Sequence, residues 1–230
     1  YAYKTIMEEK NYLLNSNGAI SNSSIAAKAF ENAKQDVKVI NETLDRIDSE
    51  SSNEKLLERH EWTKYFNVDL MDKEEPDLEL SIPDGKRIKV DYVGKDLAKY
   101  DSMLVLSHFK GHPMGGFGGS LKQLSIGCAS SRGKTWIHSA GKNTDQKKLW
   151  GNLPEQDAFL ESMADAASSV VKHFNGNMAF INIMCNLSVD CDCCAIAEKP
   201  CMNDIGILSS LDPIALDQAC IDLIYSSTDK

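Results

Sequence analysis

The chain has 230 residues, of which 42% are hydrophobic and 26% are charged, a balance typical of a folded globular protein rather than a disordered one. Its formal net charge is -9, from 25 basic and 34 acidic residues, which disfavours nucleic acid and anionic membrane surfaces as partners. No stretch approaches the roughly 18 uninterrupted apolar residues of a membrane helix. We therefore expect a globular protein with neither kind of partner.

Residues 1–75 are rich in Asn, Ser, Glu and Lys, and their apolar residues recur at helical spacing in two stretches, 25–40 and 44–57. This spacing predicts helices. The polar run Asp48–Asn53 interrupts the second stretch and predicts a loop. No pattern in this part of the chain indicates chemistry. The first residue is Tyr1 rather than a methionine, which leaves open whether an upstream segment is missing.

Residues 78–93 have the pattern of a β-hairpin. Apolar and polar residues alternate in Leu78–Ile82 and in Arg87–Val93, on either side of the turn sequence Pro83–Lys86. Alternation of this kind leaves one face of each strand in contact with solvent. We therefore expect the hairpin at an edge of the sheet or outside it.

The rest of the chain contains three continuous apolar runs, which predict buried strands, and two amphipathic segments, which predict helices. The strands are Met103–Leu106, Met178–Met184 and Ile205–Leu208, and the helices are Glu155–Phe174 and Pro213–Tyr225. Strands that alternate with helices predict an α/β fold with a mixed or mostly parallel sheet. Because the runs are apolar throughout, we expect helices on both faces of the sheet. We expect a single domain over residues 1–230.

The segment Gly127–Thr135 ends in Gly-Lys-Thr and resembles a phosphate-binding loop. Such a loop has four residues between its two glycines, whereas five residues separate Gly127 from Gly133, and no predicted strand precedes the segment. Nucleotide hydrolysis by this route is therefore disfavoured. We interpret the region from Ser130 to Asn152 as a polar, glycine-containing loop.

A second glycine-rich segment, Gly111–Gly119, follows the first buried strand and carries candidate catalytic residues. Histidine transfers protons or binds metals near neutral pH, and lysine beside exposed glycine amides can hold an anion. The candidate catalytic residues are His108, Lys110 and His112, and the candidate anion-binding residues are Gly115, Gly116, Gly118, Gly119 and Lys122. The alternative is a loop used for packing alone, with histidines that serve as hydrogen-bonded structural residues.

Five of the seven cysteines lie between residues 185 and 201, and such crowding is unlike a disulfide framework. Asp190 and Asp192 interleave them, and several thiolates beside aspartates require a neutralising cation. The Cys-x2-Cys spacing at residues 191 and 194 occurs in zinc and iron sites. The candidate metal ligands are Cys191, Cys193, Cys194 and Cys201. Thiol–disulfide redox chemistry and purely structural thiols are the alternatives.

Crowded thiols in a chain of this size favour a reducing compartment, so we expect a cytoplasmic protein. Strand alternation predicts that Cys191 and Cys193 point into one polar pocket, with a third thiol or a histidine within ligand reach, and that Cys194 faces away.

Three motifs occur in a fixed order, in residues 107–134, 189–194 and 204–225. With them the sequence resembles the family of iron–sulfur-centre proteins classed as domain of unknown function 362. The resemblance implies an iron–sulfur cluster or another metal ion as cofactor, and an upstream α/β portion that this chain lacks in part. Many members carry a double ferredoxin segment after the His–Ser pair of the middle motif. Here His138–Ser139 is followed by Ala140–Glu155, which contains no cysteine, so the electron-carrying module of the family is absent.

The sequence favours a metal-binding α/β protein that is a redox or metal-assisted enzyme of unknown substrate. One alternative is a noncatalytic metal carrier or scaffold, and another is a small-anion or phosphate-binding enzyme with structural cysteines. Its small-molecule or redox partner is not identified by the sequence. Because ligands of open α/β sheets collect at the carboxyl ends of strands, we expect the glycine segment and the cysteines to converge on one cleft.

Overall fold

A computed structural model of the chain describes residues 53–71, 77–149, 153–192 and 198–229. The chain divides into two units, residues 1–66 and 67–230, and the expected single domain stays a prediction. In the first unit the described residues form helix α1, Asn53–Arg59, and a 3-10 turn, Trp62–Lys64. Helix α1 contains the end of the second predicted helical stretch. The helices predicted before residue 53 lie outside the described residues.

The hairpin predicted at residues 78–93 is confirmed. Strand β1, Leu78–Ser81, pairs antiparallel with β2, Val90–Val93, in a two-stranded sheet of its own. A 3-10 turn, Lys95–Lys99, follows. The hairpin buries Ile82 and Ile88 against apolar residues of the helices that come later in the chain, so packing rather than strand pairing attaches it to the unit.

The three predicted buried strands share one mixed sheet, as expected. They are β3, Met103–His108, β6, Met178–Met184, and β7, Gly206–Ser210, in the order β3-β6-β7. The first pair is parallel and the second is antiparallel. The α/β fold class is therefore confirmed.

Between residues 109 and 149 the chain forms a short hairpin and three helical segments. Strand β4, Lys110–His112, pairs antiparallel with β5, Gly116–Gly118, so the glycine-rich segment is ordered as a hairpin. The helical segments are α2, Ser120–Lys122, which continues as a π-helical turn over Gln123–Gly127; α3, Ser131–His138; and a 3-10 turn, Gln146–Lys148.

The polar loop expected from Ser130 to Asn152 is wrong in its first third, because helix α3 occupies residues 131–138. The Ser130 hydroxyl caps this helix by accepting from the amide of Gly133 at 3.1 Å. Gly133 also lets the helix approach β2 closely, since a Cβ there would lie 1.9 Å from the carbonyl oxygen of Tyr92. Tertiary packing has overridden a weak local helical preference.

The two predicted amphipathic helices are confirmed as α4, Gln156–His173, and α5, Pro213–Ser226. Both contribute to the core over one face of the three-stranded sheet, where Val105 and Phe180 are buried. The opposite face is exposed: Leu104, Leu106 and Ile207 are 58%, 57% and 67% accessible. Cover on both faces was therefore a wrong expectation for the part of the chain that the structure describes. In that part, α4 and α5 pack on the same side of the strands. Nor does any described helix combine the length and the apolar character that crossing a membrane requires.

Candidate functional site

A polar pocket of 220 Å³ lies where strand β3 ends and hairpin β4–β5 begins. We call it the lysine pocket, and its lining residues are Ser107, His108, Lys110, Gly118, Gly119, Lys122, Gln123, Ile126, Gly127 and Lys134. Five of the residues proposed from the sequence therefore come together here: His108, Lys110, Gly118, Gly119 and Lys122. Lys134 was missed, although it follows Gly133 in the segment that resembles a phosphate loop.

The lysines give this pocket its positive charge. The ammonium group of Lys110 lies 2.7 Å from Oδ2 of Asp192 and donates to the carbonyl oxygen of His108 at 3.0 Å. Lys122 has a thiol as its polar neighbour, since its Nζ lies 3.4 Å from the sulfur of Cys191. Lys134 reaches the pocket from helix α3. An anion in the pocket would meet charges carried by three different elements.

Ser107 supplies a buried hydroxyl to the same wall. Its side chain is 3% exposed, and its Oγ has no hydrogen-bond partner among the described residues. A buried hydroxyl left without a partner costs about 1–3 kcal/mol. The oxygen itself is inaccessible to solvent, so a ligand oxygen in the lysine pocket could accept this hydrogen bond only after the Ser107 side chain or the pocket wall shifts.

His108 is held at both ring nitrogens. Its Nδ1 lies 3.0 Å from Oδ2 of Asp192, and its Nε2 lies 2.8 Å from the carbonyl oxygen of Cys185. Burial opposes ionisation of Asp192, but hydrogen bonds from Lys110 and His108 outweigh it and lower the pKa of this carboxyl group. Asp192 therefore links the cysteine segment to the end of strand β3.

His112 lies outside the lysine pocket and organises the turn of hairpin β4–β5. It is buried, and its Nδ1 accepts from the amides of Met114 and Gly115 at 3.2 and 2.8 Å. Gly116 adopts a φ of 77° in the same turn, a conformation that favours glycine. These contacts give His112 and Gly115 a structural role, and their catalytic and anion-binding roles stay predictions.

Asp217 on helix α5 anchors the start of helix α2, directly after the glycine segment. Its carboxylate accepts from the amides of Ser120 and Leu121, both at 2.9 Å, and from Nδ2 of Asn182 at 2.7 Å. Burial raises the pKa of Asp217, and these hydrogen bonds offset the rise only in part. Because Asp217 occupies both amides, a pocket anion would be held by the lysine side chains rather than by this helix start.

His138 lies close to two of the pocket lysines, Lys122 and Lys134. Burial lowers the pKa of His138, a hydrogen bond to the backbone of Lys134 opposes this, and the charges of Lys122, His112 and Lys134 lower it further. The imidazole also stacks on Phe159, with ring centroids 5.1 Å apart. The crowding of these basic groups raises the electrostatic potential of the region.

The cysteines are only partly covered by the structure. Cys191 is buried beside Lys122, whereas Cys201 is exposed. Cys193 and Cys194 lie outside the described residues, and so does the prediction about their orientation. In the chain segments that the structure describes, no group of three or more His, Cys, Asp or Glu residues is placed to hold a metal ion.

The glycine segment and the cysteine segment nevertheless meet, as expected. Asp192 contacts His108 and Lys110, and Cys191 contacts Lys122. The close approach depends on Gly111, where a Cβ would lie 2.1 Å from the carbonyl oxygen of Val189.

An apolar cavity of 310 Å³ lies beside the lysine pocket. Its walls include the stacked rings of Phe109 and Phe117, whose centroids are 5.5 Å apart. The other lining residues are Lys110, Gly111, Gly116, Leu187, Ser188, Val189, Cys201, Met202, Ile221, Ile224 and Tyr225. Gly116 and Cys201, proposed from the sequence as anion and metal ligands, therefore line this cavity instead of the lysine pocket.

The family model described as Domain of unknown function (DUF362) matches residues 21–222. The chain belongs to this family. The match includes every residue that lines the lysine pocket of this DUF362 chain, together with Cys191 and Asp192. The description of the family assigns neither a reaction nor an iron–sulfur centre. Searches of curated proteins and of solved structures gave no match to the chain.

Proposed function

We propose that this protein binds a small oxyanion of the phosphate class in the lysine pocket. The observation that carries the proposal is that three lysines line one pocket, beside a Ser107 hydroxyl that has no hydrogen-bond partner among the described residues. Lysine ammonium groups bind phosphate as point charges, and a hydroxyl can donate to its oxygens. The pocket also lies at the carboxyl end of β3, where ligands of α/β sheets collect.

Asp192 supports this proposal as an internal counterion. Its carboxylate pairs with Lys110 and holds His108, and it is the exposed member of the group, with 58% of its side chain accessible. Within the described residues, Lys122 contacts a thiol and no carboxylate. An entering anion can therefore pair with Lys122 without first displacing a carboxylate from it.

His108 is the pocket residue that could transfer a proton, once Nδ1 leaves Asp192 or Nε2 leaves the carbonyl oxygen of Cys185. It lines the pocket, and the contacts with Asp192 and Cys185 hold its ring in place. A positioned imidazole can donate a proton to a leaving group or accept one from a nucleophile near neutral pH. If the protein is an enzyme, His108→Gln should abolish turnover and weaken binding of the anion only slightly.

Isothermal titration with inorganic phosphate tests the binding proposal. We expect Lys122→Ala to weaken phosphate binding at least about tenfold, because it removes one charged hydrogen bond. Lys147→Ala is the matched control, since this lysine lies on the 3-10 turn Gln146–Lys148 and does not line the pocket. Absence of phosphate binding by the unaltered chain, or equal affinities for Lys122→Ala and the control, would contradict the proposal.

A metal site is our second candidate function. We propose that Cys191, Cys193, Cys194 and Cys201 bind an iron–sulfur cluster or a single metal ion. It is favoured by the Lys122 ammonium group beside Cys191, because a neighbouring cation stabilises the thiolate that metal binding requires. The described residues do not by themselves complete a ligand set, so the proposal depends on Cys193 and Cys194.

Metal analysis and visible spectroscopy test this second candidate on protein purified without oxygen and without chelators. Iron with acid-labile sulfide, both lost in Cys191→Ser, would support a cluster, whereas zinc alone would support a single-metal site. Metal binding without turnover of any substrate would favour the carrier or scaffold. Protein free of metal under these conditions would contradict the candidate and leave the anion site unaffected.

A further inference from the structure

The apolar cavity lies on the opposite face of hairpin β4–β5 from the lysine pocket. In this hairpin Lys110 pairs with Gly118, and Gly111 pairs with Phe117. Successive residues of a strand point to opposite faces, so the face of Lys110 borders the lysine pocket and the face of Phe117 borders the cavity. The two are therefore separate sites, and a ligand of the cavity does not require an anion in the lysine pocket.

The described wall of the cavity offers no free charge. Lys110 is the one charged residue among the described residues that line it, and its ammonium group is paired with Asp192 at 2.7 Å. The hydroxyl of Ser188 is also engaged, since it donates to the carbonyl oxygen of Asp190 at 2.8 Å. An ionised group in such a cavity would lose its hydration without gaining a partner. The wall therefore favours an uncharged occupant.

The cavity has a buried floor and an exposed mouth. Phe109 and Leu187 are 0% and 2% exposed, whereas Val189 and Tyr225 are 60% and 77% exposed. The volume of 310 Å³ is about twice that of an engineered apolar cavity of roughly 150 Å³ that binds benzene. It also lies at the lower end of the range of ligand pockets, roughly 300–1,000 Å³. A molecule of two fused rings therefore fits the space.

Aromatic rings and sulfur atoms are prominent in the wall. The rings of Phe109 and Phe117 stack with their centroids 5.5 Å apart and their planes inclined by 22°, and Tyr225 adds a third ring at the mouth. Cys201 and Met202 contribute the sulfur atoms. Ring–ring and sulfur–ring contacts stabilise a complex beyond the burial of apolar area alone. A planar aromatic molecule therefore gains more from this wall than an aliphatic molecule of the same size.

We propose that this cavity binds a small, uncharged aromatic molecule of about the size of indole. The inference goes beyond the proposed function and does not rest on it, since the cavity and the lysine pocket lie on different faces of hairpin β4–β5. Binding of phosphate and binding of the aromatic molecule can therefore fail independently.

Isothermal titration with indole, and with indole-3-carboxylate as its charged counterpart, tests this inference. We expect indole to bind with a Kd below about 1 mM and indole-3-carboxylate to bind at least about tenfold more weakly, because its carboxylate finds no counterion in the cavity. Absence of indole binding by the unaltered chain, or equal affinities for the two compounds, would overturn the inference.

Ile224→Phe locates the bound indole, because it adds bulk to the cavity wall. We expect this variant to weaken indole binding at least about tenfold. Leu223→Phe is the matched control: Leu223 is the preceding residue of helix α5 and does not line the cavity. Its affinity for indole should stay within about twofold of that of the unaltered chain.

Tyr225→Ala is a second variant, and it should leave the fold intact because the side chain of Tyr225 is 77% exposed. Loss of the ring should weaken indole binding about threefold, whereas Tyr225→Phe, which keeps the ring, should bind indole like the unaltered chain. The inference is overturned if Ile224→Phe and Tyr225→Ala both bind indole as tightly as the unaltered chain does.

Discussion

At the scale of single residues, buried ionisable groups decide how this protein responds to pH and to ligands. Asp91, Asp217 and His138 all lie within packed surroundings. Burial disfavours the charged form of each group, so it raises the pKa of the two carboxyls and lowers that of the imidazole. Two of these shifts lead to measurable expectations.

Burial raises the pKa of Asp91 from 3.8 to about 6, although Ser169 donates a hydrogen bond to it. Its Oδ1 has no hydrogen-bond partner in the described chain. The folded state thus favours the protonated carboxyl, and stability is lost as pH rises from about 4 to above 6. We expect Asp91→Asn to raise the free energy of unfolding at pH 7 by about 3 kcal/mol, with little gain at pH 4. Urea unfolding at both pH values measures this, and an equal effect at the two would contradict it.

His138 should report occupation of the lysine pocket. Burial is the main reason why the pKa of His138 is lowered, and the charges of Lys122, His112 and Lys134 lower it further. Because a bound phosphate offsets those charges, we expect it to raise the pKa of His138, so that the protein takes up protons when phosphate binds. NMR titration of the imidazole with and without phosphate measures the shift. The resonance of His173, at the far end of α4, should not respond; an unchanged His138 would argue against an anion in this pocket.

At the scale of elements, helix α4 holds hairpin β1–β2 by its turn. The carboxylate of Asp165 accepts from three consecutive amides, those of Lys86, Arg87 and Ile88, at 2.8, 2.6 and 3.0 Å. Glu161, one turn earlier, forms ion pairs with the side chains of Lys86 and Arg87. Among the described strands, β1 and β2 do not pair with the three-stranded sheet. The contacts with Asp165 and Glu161 attach the hairpin to the unit instead.

We expect Asp165→Ala to lower the free energy of unfolding by about 2 kcal/mol, because three amides lose a charged acceptor and water replaces it only in part. Glu161→Ala removes exposed ion pairs and leaves the amides satisfied, so its effect should be smaller. Chemical unfolding of the two variants measures the difference. A larger loss in Glu161→Ala than in Asp165→Ala would mean that side-chain ion pairs, and not the capped turn, hold the hairpin.

At the scale of the whole unit, the two faces of the central sheet differ in their surroundings. Val105 is 4% exposed and packs in the core, whereas its neighbour Leu106 is 57% exposed. Alternation along β3 places their side chains on opposite faces.

We expect Val105→Ala to lower the free energy of unfolding by about 2 kcal/mol and Leu106→Ala by less than about 1 kcal/mol, since only the first substitution leaves a cavity. Thermal or urea unfolding of both variants measures this. Equal losses would show that the face bearing Leu106 is covered in solution.

Local patterns in the sequence were sufficient for the elements. The alternation at residues 78–93 predicted a hairpin, and the apolar runs at 103–106, 178–184 and 205–208 predicted the strands of one sheet. Each pattern reflects which neighbours along the chain share a face, and that depends only on the backbone repeat. Helix α3 was not predicted from the sequence, because it depends on the packing of Gly133 against β2. That contact joins residues about forty positions apart in the printed sequence.

The residues of the candidate site likewise fall into those that the sequence predicted and those that only the tertiary structure shows. Residue chemistry was enough to select His108, Lys110 and Lys122, and the strand-end rule was enough to expect them near the cysteine segment. Only the tertiary structure added Lys134 and the buried hydroxyl of Ser107, paired Asp192 with Lys110, and assigned the amides after the glycine segment to Asp217. These contacts join residues far apart in the chain, so the spacing of residue types does not determine them. The packing of helices and strands brings such residues within hydrogen-bonding distance and, by excluding water, strengthens the electrostatic interactions of their charges and hydroxyls.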